Sequence, residues 1–331
     1  MMAPTIETVL CTLGYDEADL DQLRAAFAPA EFVHCRPDDD ARITATLERA
    51  EVALLAGDLD DRHLAAPRIG WIHCDHAGLN KSARPAIFER GIALTGSAGR
   101  SGPALAQHAF HFALALSYDT SAALRQQAGH RWAPPESIRE RGCLWGKTLG
   151  IIGFGHTGRQ MAALGRAFGM RVIVYRRSDS EAPEDVDRML SADRGDPLDP
   201  LLEESDVIML AVGLSDETHQ LIGKRELGLL KADALLINLA RGGVVDQQAL
   251  IEALRDGRIG GAGLDVTDPE PLPEHSELWD LPNVMITPHH TLPMPDKTQR
   301  SIDVMIANRE HYLRGEPMIN AATPRDRYTV G

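Results

Sequence analysis

Three apolar runs of strand length each lead into a residue able to do chemistry. ALLINLARGG reaches Arg241, AGLDVTDPEP reaches Glu270 five residues past Asp265, and NVMITPHH ends in His289 and His290. In an open α/β sheet, ligands bind beyond the carboxyl ends of the strands. An arginine, a carboxylate and a histidine on one such rim suit reduction of a 2-keto acid. Arg241 can clamp the substrate carboxylate and polarise the keto oxygen. A histidine can give that oxygen a proton while a nicotinamide delivers hydride, and Glu270, bonded to the other ring nitrogen, would orient the imidazole. Spacing does not separate His289 from its neighbour His290 as the proton donor.

A place for the nicotinamide cofactor lies upstream. TLGIIGFGHTGRQMAALGRAFGM, residues 148–170, contains G-x-G-x-x-G as Gly153, Gly155 and Gly158, with an apolar strand before it and an amphipathic helix after it. In that context Gly153 allows the tight turn and Gly155 lets backbone amides approach a pyrophosphate at the helix start, where His156 and Thr157 follow. Gly158 permits close packing of helix on strand. The NAD form of this arrangement carries an acid about twenty residues on, to hold the ribose 2′-OH. Here that place holds Tyr175, Arg176, Arg177 and Ser178, and no acid. A guanidinium can hold a 2′-phosphate by charge-assisted hydrogen bonds, so NADP is expected in preference to NAD. Val212 and Ala240, at two further strand exits, complete the expected cofactor contacts.

These residues need a frame. From about residue 6 to 95, short apolar runs alternate with polar helical stretches, and a second such series runs from Lys147 to Thr287. Alternation of this kind implies βαβ units around parallel sheets. Between the two series, residues 103–127 read as one helix, too apolar around its circumference for a surface position; it is expected between domains or in a subunit interface. MPDKTQRSIDVMIANREHYLRG, near the end, reads as a further helix. The formal charge of −14 excludes a broad basic surface for nucleic acid or anionic membrane. No apolar run approaches the about 18–20 residues of a membrane span. Four scattered cysteines and an N-terminus without a basic, then apolar, leader point to reduced thiols in the cytoplasm. HCDH at 73–76 has metal-ligand residue types, but no second cluster completes a tetrahedral set, so no metal is expected.

GIIGFGHTGR, LLINLARGGVVDQQALIEALRDGRIGGAGLDVTDPEPLP and NVMITPHH resemble the signature blocks of the D-isomer-specific 2-hydroxyacid dehydrogenase family. DHAGLNK at 75–81 and GIALTGSAGRSGPALAQHAF at 91–110 are similar to that family's substrate loop and its crossover into the cofactor domain. The resemblance implies an α/β fold of two Rossmann-like domains with parallel sheets. The substrate domain would be discontinuous, 1–101 with 291–331, around a dinucleotide-binding domain at 102–290. It makes Arg241, Glu270 and His289 the catalytic trio, with His289 chosen because it follows Thr287–Pro288. It puts the substrate carboxylate on amides near Ala77 and Gly78, with Asp265 facing the nicotinamide amide, in a homodimer. Glyoxylate and hydroxypyruvate become candidate substrates; a dinucleotide-sensing, corepressor-like binding protein is the alternative. Arg100, beside the substrate loop, is a candidate contact for a second anionic group. The chain departs from the family with Gln107 where Glu is common and Gly213 where Pro is common. Formate dehydrogenases of this superfamily pair the histidine with Gln, so Glu270 argues against formate.

Overall fold

The computed structural model describes residues 5–134, 142–290 and 292–329. The chain divides into two compact units: Met1–Arg100 with Gly213–Glu217 and Pro293–Gly331, and Ser101–Val212 with Thr218–Leu292. Thr291, where the sequence reading begins the returning segment of the substrate domain, lies outside the described residues. Among those residues no helix is long and apolar enough to cross a membrane.

The first unit is built on five parallel strands: β1 Thr8–Cys11, β2 Glu31–His34, β3 Val52–Leu55, β4 Trp71–Cys74 and β5 Ala93–Gly96, in the order β2-β1-β3-β4-β5. β1, β3 and β4 are buried along their whole length, so they read as mostly apolar runs rather than as an alternation. The helix Glu17–Phe27, capped by Asp16, turns Leu20, Leu23 and Phe27 inward. The late helix Lys297–Arg314 adds Ile302 and Met305 to the same core. Phe27 stacks on Trp71 with ring centroids 5.9 Å apart, and Tyr312 lies 5.8 Å from Trp71. Both chain ends therefore close one hydrophobic core.

The second unit has seven parallel strands: β6 Thr148–Ile152, β7 Arg171–Arg176, β8 Arg188–Ser191, β9 Val207–Leu210, β10 Leu235–Asn238, β11 Gly261–Leu264 and β12 Val284–Ile286. Their order is β12-β11-β10-β9-β6-β7-β8, which reverses direction between β6 and β9, the switch point where a doubly wound sheet opens a crevice. Six of these strands are legible as apolar runs. β8, RMLS, is not: it is a four-residue edge strand with only its last two residues buried.

The single helix expected over 103–127 is two, Gly102–Ser117 and Thr120–Ala128. Asp119 breaks it, with φ +46°, and its carboxylate caps the second helix by accepting from Ala122 N. The first helix is buried within its own unit. Ala106, Ala109, Phe110, Phe112 and Ala113 join Leu149, Ile151, Met161 and Ile237 in one core. Its apolar circumference is thus accounted for there, whereas the second helix buries none of its residues.

His73, on β4, is fully buried between the hydroxyls of Thr95 and Ser97, at 2.9 and 3.0 Å from its two ring nitrogens. Burial pushes its pKa down to about 4. The folded form therefore favours the neutral ring, and this contribution is present above the unfolded value of about 6.5 and lost as pH falls toward 4. Between pH 7 and 4.5 His73 should cost roughly 2–3 kcal/mol of stability. Urea titrations of wild type and His73→Gln at both pH values check this: the variant should show the smaller pH dependence.

Candidate active site

Asn238 ends β10 and shapes the turn that follows. Its amide nitrogen donates to Arg241 O and its amide oxygen accepts from Ala240 N, both at 3.0 Å. Arg241 Nη1 donates to Ala240 O at 2.7 Å. Next comes Gly242, where an added Cβ would stand 1.9 Å from Thr267 O. Only glycine lets the turn after β10 lie this close to the turn after β11. Gln247 secures the contact by accepting from Asp268 N at 3.0 Å. In the second turn Glu270 Oε1 accepts from Thr267 N at 3.1 Å, while Oε2 lies 2.8 Å from His289 Nδ1.

Asp265 holds the third strand exit. Its side chain is buried, and Oδ1 accepts from Thr287 Oγ1 at 2.6 Å and from His290 N at 2.8 Å. Its carbonyl accepts from His289 N, also at 2.8 Å. These bonds hold His289 at φ +51°, a left-handed conformation that a non-glycine residue rarely adopts and that persists only where the surroundings fix it. It is the ring of His289, not that of His290, that meets Glu270; His290 contributes its backbone. The His289 side chain is 47% exposed, and its Nε2 makes no hydrogen bond among the described residues. An imidazole held by a carboxylate at Nδ1 presents Nε2 as its working atom. Sequence reasoning did not single out Asn238, Gln247 or Thr287; the Gly-Gly after Arg241 was the available signal for a close approach there.

The glycine turn lies at the switch point. Gly153, at φ +99°, has no room for a side chain: a Cβ would stand 2.4 Å from Ala211 O and 2.8 Å from Val212 Cγ1. Gly158 packs on it, 2.2 Å from a would-be Cβ to Gly153 O. At Gly155 a Cβ would meet nothing within 4 Å. Gly155 is the N-cap of the helix His156–Ala167 and is exposed, as is His156, with Thr157 half-exposed. Two of the glycines thus serve packing, and the third leaves the amide-bearing helix start open to an anion. Gly153 N donates to Tyr175 O at 2.7 Å, tying the turn to the end of β7. From there Arg176 donates to Ser180 Oγ at 2.6 Å and Ser178 Oγ at 2.8 Å; it makes no ion pair among the described residues. Partial burial and the neighbouring Arg159 guanidinium push Arg176 below the ordinary arginine value. Arg177 is exposed, Val212 half-buried and Ala240 buried. These residues fit a nicotinamide dinucleotide.

In the first unit, Ala77 and Gly78 follow β4, with Ala77 exposed. The loop before them is anchored: Ser97 N donates to His76 O at 3.0 Å, and Asp75 Oδ2 lies 2.6 Å from Arg100 Nη1 and 2.7 Å from the Tyr15 hydroxyl. Burial works against the Asp75 carboxylate, but Arg100 and the hydroxyls of Tyr15, Ser97 and Ser301 hold its pKa below the usual range. Arg100 is thus bound to Asp75, a partner its sequence context does not reveal. His73 and His76 of the HCDH stretch are engaged with Thr95 and Ser97, and with Asp58, respectively. No group of three or more potential metal ligands occurs among the described residues.

A glycine turn at the switch point of a doubly wound sheet, with a histidine–carboxylate pair next to an arginine-bearing turn, defines a nicotinamide-dependent oxidoreductase. The chain belongs to the D-isomer-specific 2-hydroxyacid dehydrogenase family, whose NAD binding domain matches residues 110–291. It is 34% identical over 270 residues to a glyoxylate reductase of Korarchaeum cryptofilum, covering 81% of this chain and 80% of that one. Among solved structures, it resembles the TT0316 protein of Thermus thermophilus at 32% identity, with a TM-score of 0.72 over 96% of this chain and 100% of the other. A family member from Xanthobacter autotrophicus Py2, in complex with NADPH and MES, is 26% identical, with a TM-score of 0.76 over 97% and 99%. The protein is accordingly an NAD(P)-dependent D-2-hydroxyacid dehydrogenase that interconverts 2-keto and 2-hydroxy acids.

Two substitutions test the joined turns. Glu270→Gln keeps a side chain of the same shape but removes the charge, and should lower kcat roughly a hundredfold. Gly242→Ala forces the turns apart, and should lower kcat by a comparable factor while the cofactor Kd, from fluorescence titration, changes less than twofold. An unchanged kcat in Gly242→Ala would show that the contact has no bearing on the reaction.

Proposed function

We propose that the protein reduces glyoxylate and hydroxypyruvate to their 2-hydroxy acids, with NADPH preferred to NADH. The observation that carries the reaction is the 2.8 Å contact of His289 Nδ1 with Glu270 Oε2, beside the turn that bears Arg241. The amides of His156, Thr157 and Gly158 take the pyrophosphate, and Tyr175, Val212 and Ala240 line the cofactor's path. Asp265 accepts from the carboxamide. In the first unit, the backbone amides of Ala77 and Gly78 suit a substrate carboxylate; in the second, Arg241 suits a carboxylate and a keto oxygen. When bound, the nicotinamide supplies a hydride to the keto carbon. His289 passes the proton on Nε2 to the oxygen, which becomes the product hydroxyl, and Glu270 steadies the ring throughout.

Cofactor choice rests on Arg176. Most arginines of this acidic chain face carboxylates; Arg194, for example, pairs with Asp179 and Asp196. Arg176 is held instead by two serine hydroxyls, which orient the guanidinium without neutralising it. With Arg177 and Ser178 it suits a 2′-phosphate. The similarity of the chain to a protein solved with NADPH supports the same reading. The working form we propose is a cytoplasmic homodimer; free cysteines and the exposed Leu124 and Trp132 support it.

Initial rates on a panel of 2-keto acids with each reduced cofactor test the proposal. Glyoxylate and hydroxypyruvate should lead the panel, with kcat/KM at least tenfold higher for NADPH, since a charged hydrogen bond contributes about 1.5–3 kcal/mol. Arg176→Asp should reverse that preference. A wild-type preference for NADH would overturn the cofactor assignment. Tight cofactor binding with negligible turnover on every acid would instead mark a dinucleotide-sensing binding protein.

A further inference from the structure

We infer that His108 is a positioning residue for the nicotinamide end of the cofactor, acting through Thr287 on Asp265; this rests on the reading that Asp265 meets the carboxamide. His108 belongs to the buried helix Gly102–Ser117, where it is only 8% exposed and stacks on Phe112 at 4.7 Å between centroids. Its Nε2 lies 3.2 Å from Thr287 Oγ1, the same hydroxyl that reaches Asp265 Oδ1 at 2.6 Å.

A hydroxyl has one proton to give. Thr287 gives it to the Asp265 carboxylate, which can only accept, so His108 Nε2 must carry its own proton and donate to Thr287. Nδ1 is then the bare nitrogen, and it is buried without a hydrogen-bond partner. Burial also pushes the His108 pKa down, against the pull of Asp265, as the neutral tautomer requires.

The consequence falls on Asp265. Oδ1 is saturated by Thr287 and by His290 N, while Oδ2 accepts no hydrogen bond among the described residues. His108 fixes the Thr287 rotor, Thr287 fixes the carboxylate, and Oδ2 is left as the acceptor for an amide N–H. Because Asp265 O also accepts from His289 N, the same residue registers the cofactor against the proton donor.

The test compares the preferred reduced cofactor with its 3-acetylpyridine analogue, which has a ketone in place of the carboxamide and so no N–H to offer. His108→Phe keeps the aromatic stack but loses the donor. It should lower kcat/KM with the natural cofactor five- to twentyfold and with the analogue less than twofold, while the melting temperature stays within a few degrees. His108→Gln, which can still donate, should recover most of the loss. Thr287→Val should reproduce the His108→Phe pattern, and the double variant should be no worse than either single one. Equal losses with both cofactors, no loss with either, or additive effects would overturn the relay. A wild-type protein that does not distinguish the two cofactors would overturn the Asp265 reading itself, a separate outcome.

Discussion

The contact between Glu270 and His289 depends on one close approach, the turn after β10 against the turn after β11. Gly242 makes that approach possible, since any side chain would strike Thr267 O. The fit places Glu270 where a single carboxylate can accept from the Thr267 amide with one oxygen and reach His289 with the other. Neither side chain of the pair is buried, and exposed charge pairs contribute little to stability. What the pair provides is direction: the ring of His289 is held at Nδ1 and open at Nε2. The cost is a histidine in a left-handed conformation, offset by the hydrogen bonds of Asp265 to the backbone of both His289 and His290.

Electrostatics follow the same logic of local placement. A chain with formal charge −14 meets an anionic cofactor and substrate against its mean field, and the groups it offers locally are oriented ones rather than a basic surface. The helix start after Gly155 offers backbone amides. Arg176 is held by the neutral hydroxyls of Ser178 and Ser180. Arg100, by contrast, is compensated by Asp75, so its effect is to stiffen the loop ahead of Ala77 and Gly78.

Much of this was legible in the sequence, for physical reasons. Parallel strands buried on both faces write themselves as apolar runs, and three glycines spaced between a strand and a helix answer to tight packing at Gly153 and Gly158 and an open helix start at Gly155. The three strand exits therefore pointed to Arg241, Glu270 and His289, and the structure brings the side chains of the last two into contact. Other features lack such a signature. β8 is short and at an edge, so nothing obliges it to be apolar. The break at Asp119 depends on one residue entering a left-handed conformation. Spacing did not distinguish His289 from His290; a contact to Glu270 does. The link between His108 and Thr287 spans 179 residues and involves polar side chains inside a core, where periodicity carries no information about who meets whom.

The central claim, that His289 delivers the proton accompanying hydride transfer, is met most directly by a single-turnover measurement. NADPH bound to excess enzyme is mixed with glyoxylate, and loss of cofactor absorbance is followed for wild type and His289→Asn. The expected result is a hydride-transfer rate lowered at least roughly a thousandfold with NADPH bound as tightly as before. A His289→Asn rate within a few fold of wild type would contradict the claim, and would place the proton donor elsewhere.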